Sequence, residues 1–275
     1  MTGSHWNGKR AVVCGATAGL GRAFAIELAR QRVEHLTLVA RSSDNLQALR
    51  SELLERFASL DVLCLTADLC VKEPLQRAVE PLIQAGHRVD LVIQAVGQSD
   101  RGRLVDLSSQ RLHELIGVNV LSSLHAVQCF HPLMRKEGGN IVLVGSLASL
   151  FAPRFLGGYA IAKHGLAALA QQARLELAED QIHVLLACPG PIARQDSGTR
   201  YDQHARADKL PEAARQPGGG AKIRGLEPQR LVREILQAAA AKQPLMIRPR
   251  KAQWLHWLSA LSCSLGDRLL RKNSG

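Results

Sequence analysis

Three side chains define the chemistry open to this sequence: Ser146, Tyr159 and Lys163. Residues 141–144 form a short apolar run ending in Gly145, as a buried strand does at the rim of a sheet. Ser146 would stand at that rim, where open α/β sheets bind their ligands. From Gly158 to Glu179 the pattern is helical, rich in Ala, Leu, Gln, Arg and Glu. Tyr159 and Lys163 lie one helical turn apart and share a face of that helix. A phenol, with a pKa of about 10, is a poor acid or base at neutral pH. An ammonium one turn away stabilises the phenolate and lowers that value. Tyr159 could then give a proton to an oxygen as hydride reaches the adjacent carbon, with Ser146 holding the same oxygen. Tyr-x-x-x-Lys also occurs on ordinary solvated helices, so the surrounding elements must carry the case.

Those elements alternate strand and helix from residue 10 to 188. Arg10–Cys14 reads as a first strand. It enters Gly15-Ala16-Thr17-Ala18-Gly19-Leu20-Gly21, followed by a helix over about 22–32. Glycines spaced this way between strand and helix allow a tight turn and close backbone approach to a pyrophosphate at the helix N-terminus. A second strand, 36–40, is followed by Arg41, Ser42 and Ser43. An acidic residue at this place holds the ribose 2'-hydroxyl of NAD, and a basic one accommodates the 2'-phosphate of NADP. Arg41, with Ser42 beside it, therefore points to NADP(H). A helix over 44–57 follows, with Asp44 as its expected cap. Asp61–Thr66 is the third strand, ending in Ala67-Asp68-Leu69, and 72–85 is helical. The fourth strand, 89–95, ends in Val96-Gly97. One long helix is expected over 108–134, carrying Asn119. The Ser146 strand, the Tyr159 helix and a sixth strand at 182–188, closed by Pro189-Gly190-Pro191, complete the run. The alternation predicts an α/β fold: a doubly wound parallel sheet with helices on both faces.

Composition removes several other classes. The chain has 275 residues, 46% of them hydrophobic, enough for one large α/β domain with a sizeable core. Residues 1–10 lack an apolar h-region, and no apolar run nears the roughly 20 residues of a membrane span, so a cytoplasmic protein is expected. Cys14, Cys64, Cys70, Cys129, Cys188 and Cys263 form no C-x-x-C pair, and the ten histidines form no H-E-x-x-H cluster. Free thiols in a reducing compartment and no metal site are expected. The net charge of +11 would suit nucleic acid or an anionic membrane surface. Only 4% of residues are aromatic, and they do not interleave with basic ones, which argues against nucleic acid.

Residues 1–250 thus read as one dinucleotide-binding and catalytic domain. Within it, residues 192–225 are polar and rich in Gly and Pro. They fit a loop closing over a substrate or a surface insertion. A helix at 228–241 and a last strand, Leu245–Arg248, follow. Residues 251–275 read as an amphipathic helix: Trp254, Trp257, Leu258, Leu261, Leu265 and Leu269 fall at helical spacing, with Arg268, Arg271 and Lys272 off the stripe. Such a stripe packs on its own core or a partner subunit, or lies on a membrane surface with Trp anchors and basic flanks.

Together these residues resemble the short-chain dehydrogenase/reductase family in its single-domain form, over about residues 8–249. The family's glycine loop matches Gly15, Gly19 and Gly21, its adenine-contacting acid matches Asp68 beside Leu69, and its Asn, Ser, Tyr, Lys tetrad matches Asn119, Ser146, Tyr159 and Lys163. The resemblance implies a nicotinamide-dependent oxidoreductase with Tyr159 as the general acid in reduction. Lys163 would tune Tyr159 and bind the nicotinamide ribose. Ser146 would orient the substrate oxygen, and Asn119 would support a water chain to solvent. Pro189, Gly190 and Ile192 would lie against the nicotinamide. Thr17, Ala18, Leu20, Ala95, Val96 and Gly97 would complete the cofactor wall. Three positions depart from the family pattern: Cys14 replaces a Thr, Gln94-Ala95-Val96-Gly97 replaces Asn-Asn-Ala-Gly, and Arg194 stands near a customary hydroxyl. The apolar stretch at 147–155 would face an apolar ketone or aldehyde. A homodimer or homotetramer would form through the helices at 108–134 and 158–179. A non-catalytic NADP-binding sensor is the alternative, and an extended-branch epimerase would need a larger domain after Pro189.

Overall fold

The computed structural model describes residues 4–134, 138–193 and 225–273. Strand β1 (Arg10–Cys14) leads to α1 (Gly19–Arg30), β2 (His35–Ala40) to α2 (Ser43–Arg56), and β3 (Asp61–Thr66) to α3 (Lys72–Gln84). After β4 (Leu91–Gln94) come α4 (Ser109–Ile116), a π turn (Gly117–Leu121) and α5 (Ser122–Phe130). Then follow β5 (Asn140–Val144), α6 (Tyr159–Glu176) and β6 (His183–Pro189). The chain closes with α7 (Pro228–Ala240), β7 (Leu245–Arg248), α8 (Lys251–Leu261) and α9 (Cys263–Asn273).

All seven strands are parallel, in the order β3-β2-β1-β4-β5-β6-β7. This is the doubly wound α/β sheet expected from the alternation. Successive strand residues face opposite sides, which divides the core in two. Ala11 and Val13 join the layer under α1, α2 and α7, built on Phe24, Leu28, Leu46, Leu53 and Ile235. Val12 and Cys14 join the layer under α3, α5 and α6, built on Leu75, Phe130 and Leu166. With both faces covered, the strands are apolar along their length rather than alternating.

The register matters most for the site. One row crosses the sheet through Leu65, Val39, Cys14, Gln94, Leu143, Leu186 and Leu245. The loops leaving β1, β4, β5 and β6 just beyond that row therefore share one rim. The chain winds outward in opposite directions from β1 and β4, and the crevice at that switch point is where such sheets take ligands.

The helix expected over 108–134 is not continuous. It widens at the π turn and ends in a 3₁₀ turn at His131–Leu133. Side chains take over carbonyls that the backbone ladder would use: Asn119 Nδ2 donates to Leu115 O, Ser122 Oγ to Val118 O, and Ser123 Oγ to Asn119 O. Such back-bonding, next to Gly117 and two β-branched valines, loosens the ladder. Pro132 has no N–H with which to extend α5. Helix α1 starts earlier than expected, at Gly19, because the glycine loop supplies its first turn. Helix α2 is capped by Ser42, whose side chain accepts from Asn45 N, and not by Asp44. The C-terminal segment is two helices, not one. Ser262 is extended between them, and its Oγ accepts from Leu265 N at the start of α9.

Candidate active site

Ser146 is the first residue beyond β5. Its Oγ accepts from Ala148 N at 3.2 Å, and its own N–H donates to Ser149 Oγ at 3.2 Å, so a short 3₁₀ turn fixes the hydroxyl at the rim. Tyr159 opens α6 and is half-buried. Lys163, one turn later, is 3% exposed, and its Nζ donates to Val144 O at 3.0 Å. That bond ties the Tyr159 helix to the strand that presents Ser146. Lys163 Nζ lies 5.9 Å from the centroid of the Tyr159 ring. Burial pushes the Lys163 ammonium down to about 8, so it remains cationic at neutral pH.

Asn119 is fully buried in the π turn. Its Nδ2 donates to Gln98 O at 2.9 Å and to Leu115 O at 3.0 Å, and its Oδ1 accepts from Gln98 N at 3.2 Å. The amide thereby clamps the loop after β4 in both directions. Gly97 sits between Asn119 and Lys163. A Cβ there would stand 3.0 Å from Asn119 Oδ1 and 3.2 Å from Lys163 Nζ.

A second clamp places Tyr159. The buried Asp100 carboxylate accepts from Arg111 Nε and Nη2 at 3.2 Å each and from Gly158 N at 3.4 Å. Gly157 has φ +54°, and a Cβ on it would fall 2.5 Å from Asp100 Oδ2. The entry to α6 is thus held by a partly buried ion pair against a turn that needs glycine.

The opposite half of the cleft is mostly backbone. Gly15 has φ +78°, and a Cβ there would lie 2.9 Å from Val96 Cγ2. A Cβ on Gly21 would lie 2.0 Å from Gly15 O. Ala18 caps α1 with no side-chain hydrogen bond, and the first turn has no acidic residue. The open N–H groups and positive dipole end of a 12-residue helix therefore point at the rim with no side-chain cap and no acid in the helix's own first turn. A phosphate group fits that cradle. Arg41 is exposed and directly follows β2. Asp68 Oδ1 accepts from Cys70 N at 2.9 Å, which fixes the turn after β3.

Of the residues singled out in the sequence, the cleft is lined by Gly15, Thr17, Ala18, Gly19, Leu20, Arg41, Asp68, Leu69, Ala95, Val96, Gly97, Ser146, Tyr159, Lys163, Pro189, Gly190 and Ile192. Gly21, Ser42 and Asn119 stand behind its wall and shape it indirectly. The cleft is open to solvent and has a volume of about 2640 Å³. Leu226 pins its mouth beyond β6, accepting from Ala193 N and donating to Pro191 O, each at 2.8 Å. The loop expected at 192–225 otherwise lies outside the described residues, as does Arg194.

Two of the departures find structural answers. Cys14 is fully buried, facing the α3–α5–α6 layer, where burial pushes its thiol far up. Gln94 Nε2 donates to Ser122 Oγ at 2.9 Å, so β4 is tied to α5. Its link to the glycine loop is kept by Ala95 N donating to Cys14 O and by Val96 against Gly15. All six cysteines are free thiols.

Part of the far wall has no signature in the sequence. Leu147, Ala148, Phe151 and Pro153 line it as expected, but so do Arg101, Leu156, Leu255, Leu258, Leu269 and Leu270. Arg101 is buried, with its Nη1 donating to Asp100 O at 2.6 Å. Nothing in a lone arginine within a polar connection announces that. The expected stripe turns inward only at Leu258 and Leu269. Trp254, Trp257 and Leu261 are 76%, 70% and 83% exposed, while Ala252, Leu255 and Leu270 face inward. The break at Ser262 rotates α9 out of the phase that a single helix would keep.

A parallel sheet with its cleft at the switch point, a phosphate-ready helix terminus and a Ser–Tyr–Lys cluster across from it define a dinucleotide-dependent oxidoreductase. The sequence profile of the short chain dehydrogenase family matches residues 9–205. The chain belongs to the short-chain dehydrogenase/reductase family, whose members use a nicotinamide cofactor for redox chemistry between alcohols and carbonyls. It is 28% identical to a dehydrogenase/reductase SDR family protein 7-like of Anopheles gambiae, covering 98% of this chain and 84% of the relative. Its fold matches that of a Burkholderia phymatum short-chain dehydrogenase/reductase in complex with NAD, with a TM-score of 0.78 at 23% identity, over 95% of this chain and 96% of the other. It also matches L-sorbose reductase of Gluconobacter frateurii complexed with NADPH and L-sorbose, with a TM-score of 0.73 at 21% identity, over 88% and 95% of the two chains.

Proposed function

We propose that this protein is an NADP(H)-dependent reductase of an apolar ketone or aldehyde. The carrying observation is the joining of Ser146 and Tyr159 by the Lys163–Val144 bond at the rim of a cleft whose other half can seat a dinucleotide. The α1 N-terminus and glycine loop would hold the pyrophosphate, Asp68 and Leu69 the adenine, and Arg41 the 2'-phosphate. Pro189, Gly190 and Ile192 would lie along the nicotinamide. When bound, the cofactor supplies the hydride. Ser146 Oγ holds the substrate oxygen, and Tyr159 gives that oxygen a proton. The Lys163 charge stabilises the negative charge then left on the Tyr159 oxygen. Asn119 keeps the loop at Gln98 in place beside this group and would support the proton's resupply from water.

Apolar side chains on both sides of the far wall, Leu147 and Phe151 facing Leu255 and Leu258, support an apolar substrate. Free cysteines support a reducing, cytoplasmic setting. Exposed Leu121 and Ile161, on the segments expected to pair subunits, support a homo-oligomer. We further assign the 254–272 segment to peripheral contact with a membrane.

Titration with NADPH and NADH, followed by nicotinamide fluorescence, tests the cofactor assignment. The wild type should prefer NADPH by about tenfold or more, since a charge-assisted phosphate contact contributes roughly 1.5–3 kcal/mol, and Arg41→Ala should erase the gap. Tight binding without turnover on any carbonyl would instead make the protein a sensor.

A further inference from the structure

We propose that α8 and α9 form a docking surface for an anionic phospholipid bilayer, and that this surface feeds a lipid-borne carbonyl substrate into the cleft; the second half of the proposal rests on the reductase reading above. The helix pair has two apolar faces. Its inner face, with Leu255 and Leu270, lines the cleft, and Leu258, which lines the cleft and is 39% exposed, stands at the boundary of the two faces. Its outer face exposes Trp254, Trp257 and Leu261. Among the described residues, five of the eleven large exposed apolar side chains sit on these two helices, so the exposure is a patch and not scatter.

The surrounding charge selects the occupant. Arg268 and Arg271 are exposed on α9, and Arg250 and Lys251 are exposed at the start of α8, where they also line the cleft; Asp267 is the one acid of the 250–271 segment. A second copy docked by a two-fold axis would bring these basic rims together, which disfavours self-association. An anionic headgroup layer complements them, and tryptophan suits the interface because its ring is apolar and its N–H polar. Each helix has 11 residues, and no helix of the described residues is long and apolar enough to cross a membrane, so the geometry is that of lying on the surface. A substrate leaving the bilayer at this face would meet the inner leucines of the same helices, which line the cleft that holds Tyr159.

The test is sedimentation of the full chain with vesicles of phosphatidylcholine, alone or mixed with phosphatidylglycerol. Wild type should bind the mixed vesicles, less at high salt. Trp254→Ala/Trp257→Ala/Leu261→Ser should lower binding at least tenfold, and Arg268→Gln/Arg271→Gln roughly tenfold. NADPH binding in solution should be unchanged in both, which certifies their folding. Turnover of a long-chain ketone held in the vesicles should fall with vesicle binding, while turnover of a short soluble ketone stays constant. Absence of vesicle binding by wild type, or equal binding by the variants, overturns the docking. A patch variant that dissociates an oligomer, with no vesicle binding by wild type, gives the face to a second copy and also overturns it. Unchanged turnover of the vesicle-held ketone in the patch variant overturns the delivery. If wild type reduces neither ketone, the reductase reading fails, and sedimentation alone decides the docking.

Discussion

Along the β1–β4 side of the cleft the walls are mainly backbone, and along the β5–β7 side they are mainly side chains. At Gly15 and Gly21 a single methyl group would meet neighbouring atoms at 2.9 and 2.0 Å, so this half is defined by what it excludes. Around Ser146, Tyr159 and Lys163 the geometry comes from positive contacts: the Lys163–Val144 bond, the Asn119–Gln98 clamp and the Asp100–Arg111 pair. The two halves should therefore fail differently. Changes in the first should cost fold and nucleotide affinity, and changes in the second should cost turnover.

The sharpest break is Tyr159→Phe. It removes the proton donor and leaves the ring, so turnover should fall by about a thousandfold or more while NADPH affinity holds. Parallel loss of both would mean the halves are not separable.

Lys163 gives a stability test of the second half. Its pKa is lowered from 10.5 to about 8 by burial, so between those pH values the unfolded chain binds more protons than the folded one. Stability should then rise with pH across that window, by on the order of 3 kcal/mol relative to Lys163→Met. Denaturant unfolding of both proteins between pH 8 and 10.5 checks the sign. A flat difference would contradict a buried, desolvated ammonium.

In the first half, Gly21→Ala drives a Cβ into Gly15 O. We expect a loss of about 2–3 kcal/mol, seen as a melting temperature lowered by roughly 5–10 °C, with weakened binding of both nucleotides. The smallest effect is Arg41→Ala. It should cost about tenfold in NADPH affinity and nothing in NADH affinity or melting temperature, because the side chain is exposed and caps no helix.

The same contrast explains what could be read from the sequence. The glycine loop, the strand ends and the Tyr159–Lys163 turn are local, and their spacing carries the geometry. The sheet itself was legible because its strands are continuously apolar. Three features were not legible, because they join distant segments. Asp100, Arg111 and Gly157 meet only after folding. Arg101 is buried by the residues around it, not by its own pattern. The far wall brings Leu255 and Leu270 beside Phe151 from about a hundred residues away. The 254–269 stripe misled because periodicity continues through Ser262 while the helix does not.

The most direct measurement of the central claim is isotope transfer. NADPH carrying deuterium at the nicotinamide carbon that gives up hydride would be incubated with the protein and an apolar ketone, and the alcohol examined by mass spectrometry. Deuterium on the carbinol carbon, formed by wild type and suppressed in Tyr159→Phe, is the predicted result. Alcohol formed without deuterium, or formed equally by Tyr159→Phe, would contradict hydride transfer with Tyr159 as the acid.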